Sequence, residues 1–451
     1  MKRTCFKIST MLFAQVFLVL AAMAQDAVTP ATALQHYLHN DDHAYQWEVK
    51  DSFATGSVKG YDLLLTSQKW RQYTWRHQLT ILVPQENEYD GALLFITGGH
   101  DVDEQPKWTD PGDKLTSRFV DMAAKDKAIV AIVRQVPNQP LYDSLTEDAL
   151  ISYTLHRFQN DTDYTWPLLF PMVKSAVKAM DAVQDFSGKR LQHTINRFVV
   201  SGASKRGWTT WLTGANDPRV TAIGPMVIDV LNMPVCLAYQ MKAYGSYSVE
   251  IQDYVKLGIV QGIESPNGQA LVTMIDPYSY RKALTMPKML FMGTNDPYWV
   301  VDNVKNYLGG IPGHNLLHYV PNAGHGLGDG QSAFDALSAF FGVAMAKGQY
   351  PDCSWKTVQS KKGIKLRVRA SRDVLTDAVL WYADSRDKDF RDDKWQSRDL
   401  GVKNRSIVKT KEAFPSTGYR AFYLDLTYRD PNGGEYTVST RVFMTDTGKI
   451  L

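Results

Sequence analysis

Residues 199–208 read VVSGASKRGW. Two valines suited to a strand run into Gly202, a small residue and a serine follow, and the pattern then turns helical from Lys205. A strand that stops at a tight glycine turn and restarts as a helix has the local form of a nucleophile elbow. Such a turn strains the backbone of its serine, so the neighbours must be small, and the helix N-terminus faces the group that the hydroxyl attacks. The generic pattern has glycine two residues after the serine; here Arg206 stands there and the glycine is displaced to Gly207. On this stretch alone, the other reading of Ser204 is a helix-capping serine.

The flanks favour the elbow. GALLFITGG and KAIVAIVRQVP, within residues 91–137, are short continuous apolar runs ending in glycine or proline, as strands buried on both faces of a parallel sheet require. A helix is predicted over 166–185, capped by Thr165 with Pro167 in its first turn. After the elbow come VTAIGPMVID, a mostly helical insertion at about 233–285, KMLFMGT, LHYVPN and a helix through SAFDALSAFFGVAMA. This alternation predicts an α/β fold of the α/β-hydrolase kind, with a helical cap between the serine and acid strands. Beyond about Tyr350 the chain changes to short alternating strands separated by Gly, Pro, Asn and Asp, which predicts a small antiparallel β-sandwich-like domain.

A serine needs a base and an orienting carboxylate. KMLFMGTND puts Asp296 just past a buried strand, and VPNAGHGLG puts His325 in a glycine-flanked loop after the next one. The order Ser, Asp, His is that of α/β-hydrolases. Each residue alone also reads as an ordinary turn carboxylate or a solvated histidine, and Asp302 is a weaker candidate acid. The anion hole needs two converging backbone N–H groups. One is expected from Lys205, the other from Gly99 or His100 in FITGGH, where a plain Gly-Gly turn is the alternative. Arg206, Trp208 and Trp299 are expected to contact substrate.

The stretch GASKRGWTTWLTGANDPRV, the turn GTNDPYW, the loop NAGHGL and the early WRHQLTILVP resemble the PhoPQ-activated pathogenicity-related protein family, which includes the autocrine proliferation repressor type. The resemblance runs from roughly 30 to 450. It implies an α/β-hydrolase related in shape to dipeptidyl-peptidase-like enzymes, and Ser204, Asp296 and His325 match the motif positions. It does not supply a substrate.

The N-terminus, MKRTCFKISTMLFAQVFLVLAAMAQD, reads as a secretory signal peptide over 1–24, cleaved before Gln25. Domain boundaries follow: hydrolase 25–348 with the cap at about 233–285, then a β-domain over 349–451. Losing Lys2, Arg3 and Lys7 removes three of 50 basic residues and leaves 47 against 47 acidic ones, so the formal +3 points to no nucleic-acid or membrane partner. No membrane span is expected after the leader. Cys236, in the apolar run PVCLAY, is read as a buried thiol, with a disulfide to Cys353 as the alternative. His36, His39 and His43 are read as solvated or aromatic-packed residues of an N-terminal helix, not as metal ligands. No phosphate loop or paired CxxC suggests a cofactor, and none is expected. Tyrosines of the cap pack it on the sheet or stack on a substrate.

The sequence therefore predicts a periplasmic or secreted serine hydrolase acting on a small-molecule or peptide substrate through an acyl-enzyme. A carboxylesterase leads narrowly, because no acidic pair to grip a substrate amine can be placed. A dipeptidyl-peptidase-like enzyme and a non-catalytic binding or signalling protein are the alternatives. The cations Lys205 and Arg206 either serve an acidic substrate, such as a carboxylate-bearing sugar ester, or pair with a nearby acid and steady the elbow.

Overall fold

The computed structural model describes residues 27–451. The expected leader and its cleavage site lie outside the described residues. An N-terminal helix, α1 (Ala33–Leu38), packs Leu34 and Tyr37 into the core. The histidines beside it stay at the surface, His39 bonding the Gln35 carbonyl and His43 pairing with Asp41.

Strands β1 (Gln46–Thr55), β2 (Val58–Trp70) and β3 (Tyr73–Pro84) form an antiparallel meander. Next come β4 (Gly91–Ile96), β5 (Ile129–Val133), β6 (Arg197–Ala203), β7 (Val220–Met226), β8 (Lys288–Gly293) and β9 (Asn315–Val320). Every residue of β4, β5 and β8 is buried, which is why these segments are apolar runs in the sequence, broken only by Lys288, whose Nζ donates to the Leu284 and Pro312 carbonyls. The spatial order is β1-β2-β3-β5-β4-β6-β7-β8-β9, parallel from β5 onward. The exchange of β4 and β5 matters for the site. It sets β4 against β6 with Ile96 opposite Gly202, so the loop after β4 emerges beside the elbow.

Helices cover both faces, giving the sheet one apolar core on each side. On one side lie α2 (Lys114–Asp126) and α9 (Gln331–Met345). Asp113 caps α2, its carboxylate accepting from the N–H groups of Leu115 and Thr116. On the other lie α4 (Leu169–Phe186) and α5 (Lys205–Asn216). Helix α4 begins later than predicted: Thr165 does not cap it, its hydroxyl instead bonding Asp163 and Arg71. A helix that the sequence reading left unassigned, α3 (Glu147–Asp161), precedes it. The insertion is helical as expected, comprising α6 (Met233–Tyr244), α7 (Gln252–Lys256), α8 (Pro266–Ile275) and short 3-10 turns.

The C-terminal strands are antiparallel, as predicted, but they do not form a self-contained sandwich beside the sheet. They are β10 (Cys353–Ser360), β11 (Gly363–Ala370), β12 (Leu375–Ser385), β13 (Gln396–Asp399), β14 (Ile407–Ala413), β15 (Tyr419–Arg429), β16 (Glu435–Ser439) and β17 (Phe443–Thr445). Strand β16 pairs with β9 at Leu317–Ser439, and β15, β12 and β13 follow, so one 14-stranded sheet runs through both parts. A three-stranded sheet, β10-β11-β14, packs on it through Ile364, Leu366 and Val368, continuous with the core under α9. Cys236 and Cys353 are both free thiols, and Cys236 Sγ–H donates to the Leu231 carbonyl at 2.9 Å.

At the seam between β9 and β16, His318 is fully buried. Its Nδ1 lies 3.0 Å from Thr437 Oγ1 and its Nε2 3.2 Å from Ser332 Oγ. Burial lowers its pKa from 6.5 to about 4, against a smaller opposing effect of the Thr437 carbonyl. The unfolded chain therefore takes up this proton before the folded one. The seam's contribution is complete above about pH 6.5, falls as pH drops below that, and stops falling near pH 4. We expect His318→Gln to shrink the loss of urea midpoint between pH 6.5 and 4, His77, also lowered to about 4 by burial, retaining its own share. An unchanged loss in the variant would show that His318 is not a source of it.

Candidate active site

Ser204 stands between β6 and α5 with φ 59° and ψ −122°, a conformation that L-residues seldom adopt. Its amide donates to the Met226 carbonyl of β7 at 2.9 Å, which fixes the turn to the neighbouring strand. The displaced glycine has a steric cause. A Cβ on Gly207 would lie 2.7 Å from the Met226 carbonyl oxygen and 3.0 Å from that of Gly202, so only glycine lets α5 rest on the elbow. Position 206 is under no such constraint.

Ser204 Oγ lies 2.9 Å from His325 Nε2, and His325 Nδ1 lies 2.9 and 3.1 Å from the two carboxylate oxygens of Asp296. An ionised carboxylate only accepts, so Nδ1 carries the hydrogen and Nε2 presents a lone pair to the serine hydroxyl. Asp296 is buried, and its Oδ1 also accepts from the Tyr298 amide at 2.9 Å. The Tyr298 ring stacks on the imidazole with centroids 4.2 Å apart. Asp302 takes no part; fully buried, it accepts from Tyr239 and Lys305 at 2.7 Å each.

Lys205 heads α5, so its N–H has no acceptor one turn back. In the loop after β4, the Gly98 and Gly99 carbonyls are engaged by the Gln135 amide at 3.1 Å and the Gln139 side chain at 3.2 Å. The amides of Gly99 and His100 have no backbone acceptor among the described residues. The expected anion-hole donors thus stand just past the ends of two adjacent parallel strands, β4 and β6.

Of the two expectations for Arg206, contact with substrate and pairing with a nearby acid, the fold displays the pairing. Arg206 turns away from the reacting hydroxyl and is buried. It makes a two-pronged contact with Glu147, both bonds 2.7 Å, and donates Nε–H to the Val136 carbonyl. Gly98 leaves it room: a Cβ there would lie 2.6 Å from the Arg206 guanidinium. Lys205 Nζ meets Asp148 at 2.7 Å and lies 3.8 Å from Glu147. Asp148 also accepts from the hydroxyls of Tyr254 at 2.9 Å and Tyr298 at 3.3 Å. Trp208 and Trp299 do line the cavity that opens at Ser204. Trp208 is anchored by its indole N–H, which donates to the Ile275 carbonyl at 2.6 Å.

Sequence reasoning missed Glu147, Asp148 and Tyr298, and it placed Tyr254 among the cap tyrosines without its bond to Asp148. For the first two a signal exists: TEDAL at 146–150 is a helix start with acids in its first turn. It also missed the C-terminal contribution. The Asn295 side-chain amide donates to the carbonyls of Phe390 and Arg391 at 3.2 Å and of Asp393 at 2.8 Å. Asn322 exchanges two hydrogen bonds with the Trp395 backbone, at 3.0 and 2.8 Å. One C-terminal loop therefore holds both the turn bearing Asp296 and the loop bearing His325.

By the order of its strands and the position of its elbow, the chain is an α/β-hydrolase in fold. It belongs to the PhoPQ-activated pathogenicity-related protein family, whose pattern it matches over residues 34–391. Over 459 residues it is 29% identical to autocrine proliferation repressor protein A of Dictyostelium discoideum, covering 93% of this chain and 91% of that one. Solved structures of similar shape include acetyl xylan esterase 1 from Thermoanaerobacterium sp. JW/SL YS485, with TM-score 0.48, 15% identity and coverage of 70% of this chain and 94% of that one. They also include an S-formylglutathione hydrolase from Agrobacterium tumefaciens, with TM-score 0.45, 10% identity and coverage of 66% and 99%.

The Arg206–Glu147 pair yields a prediction. Burial alone would raise the Glu147 pKa, but hydrogen bonds and charge from Arg206, with Gln139 and Lys205, outweigh it and bring the carboxyl down to about 2. Such a group stabilises the fold above its ordinary range near 4.5, and this contribution is lost as pH falls toward 2. Arg206→Met should cost about 2–3 kcal/mol, less than a wholly buried pair because water reaches Glu147. It should also flatten the acid limb of stability between pH 4.5 and 2, with KM little changed. A Tm unmoved by the substitution would show that the pair does not steady the elbow.

Proposed function

We propose that this protein is an exported serine hydrolase that cleaves an uncharged ester through an acyl-enzyme on Ser204. The observation that carries the reading is the unbroken chain from Ser204 Oγ through His325 to the buried Asp296, with each contact at 2.9 Å. His325 Nε2 takes the hydroxyl proton as Oγ bonds to the ester carbonyl carbon, and the carbonyl oxygen becomes an anion. The amide of Lys205, with that of Gly99 or His100, receives that anion. When the C–O bond to the alcohol breaks, His325 returns its proton to the departing oxygen. A water then gives a proton to His325 and its oxygen to the acyl carbon, and Ser204 is released with the proton back on Oγ. Asp296 keeps the imidazole in the tautomer that both half-reactions use.

One feature favours an ester over a peptide with a free amino terminus. The acidic pair that would grip an amine exists, as Glu147 and Asp148, but Arg206 and Lys205 already neutralise it. The same pairing argues against an acidic sugar ester, since a substrate carboxylate would have to displace Asp148 from Lys205. The name of the Dictyostelium relative supports a second reading, a signalling protein that keeps the fold without turnover. Cleavage before Gln25 and export belong to both readings.

A fluorophosphonate probe should label the wild type and leave Ser204→Ala unmarked. Turnover of p-nitrophenyl esters should fall on the order of 10⁴–10⁶-fold in Ser204→Ala and about 10⁴-fold in Asp296→Asn. Dipeptide nitroanilides should stay intact. Absence of labelling from mild acid to mild base would favour the signalling reading, and brisk nitroanilide turnover with silent esters would make the protein a peptidase.

A further inference from the structure

The cavity at Ser204 and His325 is a cleft open to solvent, about 820 Å³ when its open mouth is included. Val230 forms part of its sheet side, and the cap insertion closes it with Ile251, Ile259, Val260, Leu271 and Ile275. All six are nearly inaccessible, so the wall is continuous hydrocarbon. Its polar end is closed on itself: Asp148 is satisfied by Lys205, Tyr254 and Tyr298. Burial and the neighbouring Asp148 hold the Tyr254 phenol far above its ordinary pKa, so it stays a neutral donor committed to that acid. Trp299, whose indole N–H has no partner among the described residues, is one polar exception on the lining. A sugar hydroxyl or peptide amide placed among the six apolar side chains would lose water and meet hydrocarbon. A hydrocarbon arm would lose only apolar hydration, which favours entry.

Resting on the ester-hydrolase reading, we propose that the substrate is an ester with one extended, uncharged apolar arm that occupies the cap cavity, and that α6–α8 set the length of arm accepted. The shared chemistry is the hydrocarbon, whether it is the acyl chain or the alcohol. Two series separate these sources. In one, p-nitrophenyl acetate, butyrate, hexanoate and octanoate vary the acyl arm. In the other, ethyl, butyl, hexyl and octyl acetates vary the alcohol.

In one of the two series kcat/KM should climb by about fourfold per methylene, the rate equivalent of ~0.8 kcal/mol per buried CH₂, until the cavity is filled. Leu271→Trp and Val260→Trp should lower the long-to-short ratio of kcat/KM in that series. The wild-type profile decides the matter even if a variant fails to fold. Profiles that are flat or that fall from the shortest ester in both series, with Ser204 still labelled by the fluorophosphonate, overturn the inference and leave the hydrolase reading standing. Silence toward every ester together with absence of labelling overturns both.

Discussion

The arrangement depends on the backbone of one residue. Ser204 sits at φ 59°, ψ −122°, a conformation that costs on the order of 1–3 kcal/mol and persists only where its surroundings fix it. Here three restraints do so. The serine amide is tied to the Met226 carbonyl, Gly207 lets α5 press against the same strand, and Arg206 is pinned to Glu147 across the loop after β4. Gly98 is part of the same constraint, because a side chain there would collide with the guanidinium. The GG of FITGGH therefore has two uses. One glycine admits the ion pair, and the other lies in the loop that presents free amides beside the serine.

The cations after the serine can be understood from this geometry. In sequence they suggest affinity for an anion. In the fold they neutralise two acids that α3 brings to the same place, so the pocket carries little net charge at its polar end. On the proposed reading, shape and loss of water from apolar surface would then select what reaches Ser204, because these fixed charges are already paired.

The central sheet was readable because strands buried on both faces are largely apolar: β4 and β5 are so throughout, and β6 and β8 depart from it only at Arg197, Ser201 and Lys288. Ser204, Asp296 and His325 could be read because each follows directly on such a strand, where chain order dictates position. Glu147 and Asp148 could not be assigned a place, since their partners Arg206 and Lys205 lie 59 and 57 residues away and nothing local marks the encounter. Thr165 misled because its hydroxyl found Asp163 and Arg71 in place of a helix end. The C-terminal strands were recognised as antiparallel from their alternation. Their fusion with the main sheet was not visible, because it rests on a short β9–β16 pairing between segments some 120 residues apart.

The loop over 390–395 has a consequence for the order in which the protein becomes whole. Asn295 and Asn322 take their partners from backbone carbonyls and an amide that lie some 70 to 100 residues further along the chain. The acid and the imidazole can thus be present, and the elbow already closed, while the two turns that carry them still lack their brace. A chain growing from its N-terminus would contain every reacting group well before it contained the segment that aligns them. The brace on both turns is in this sense the last part of the arrangement to be made, supplied from the final fifth of the polypeptide.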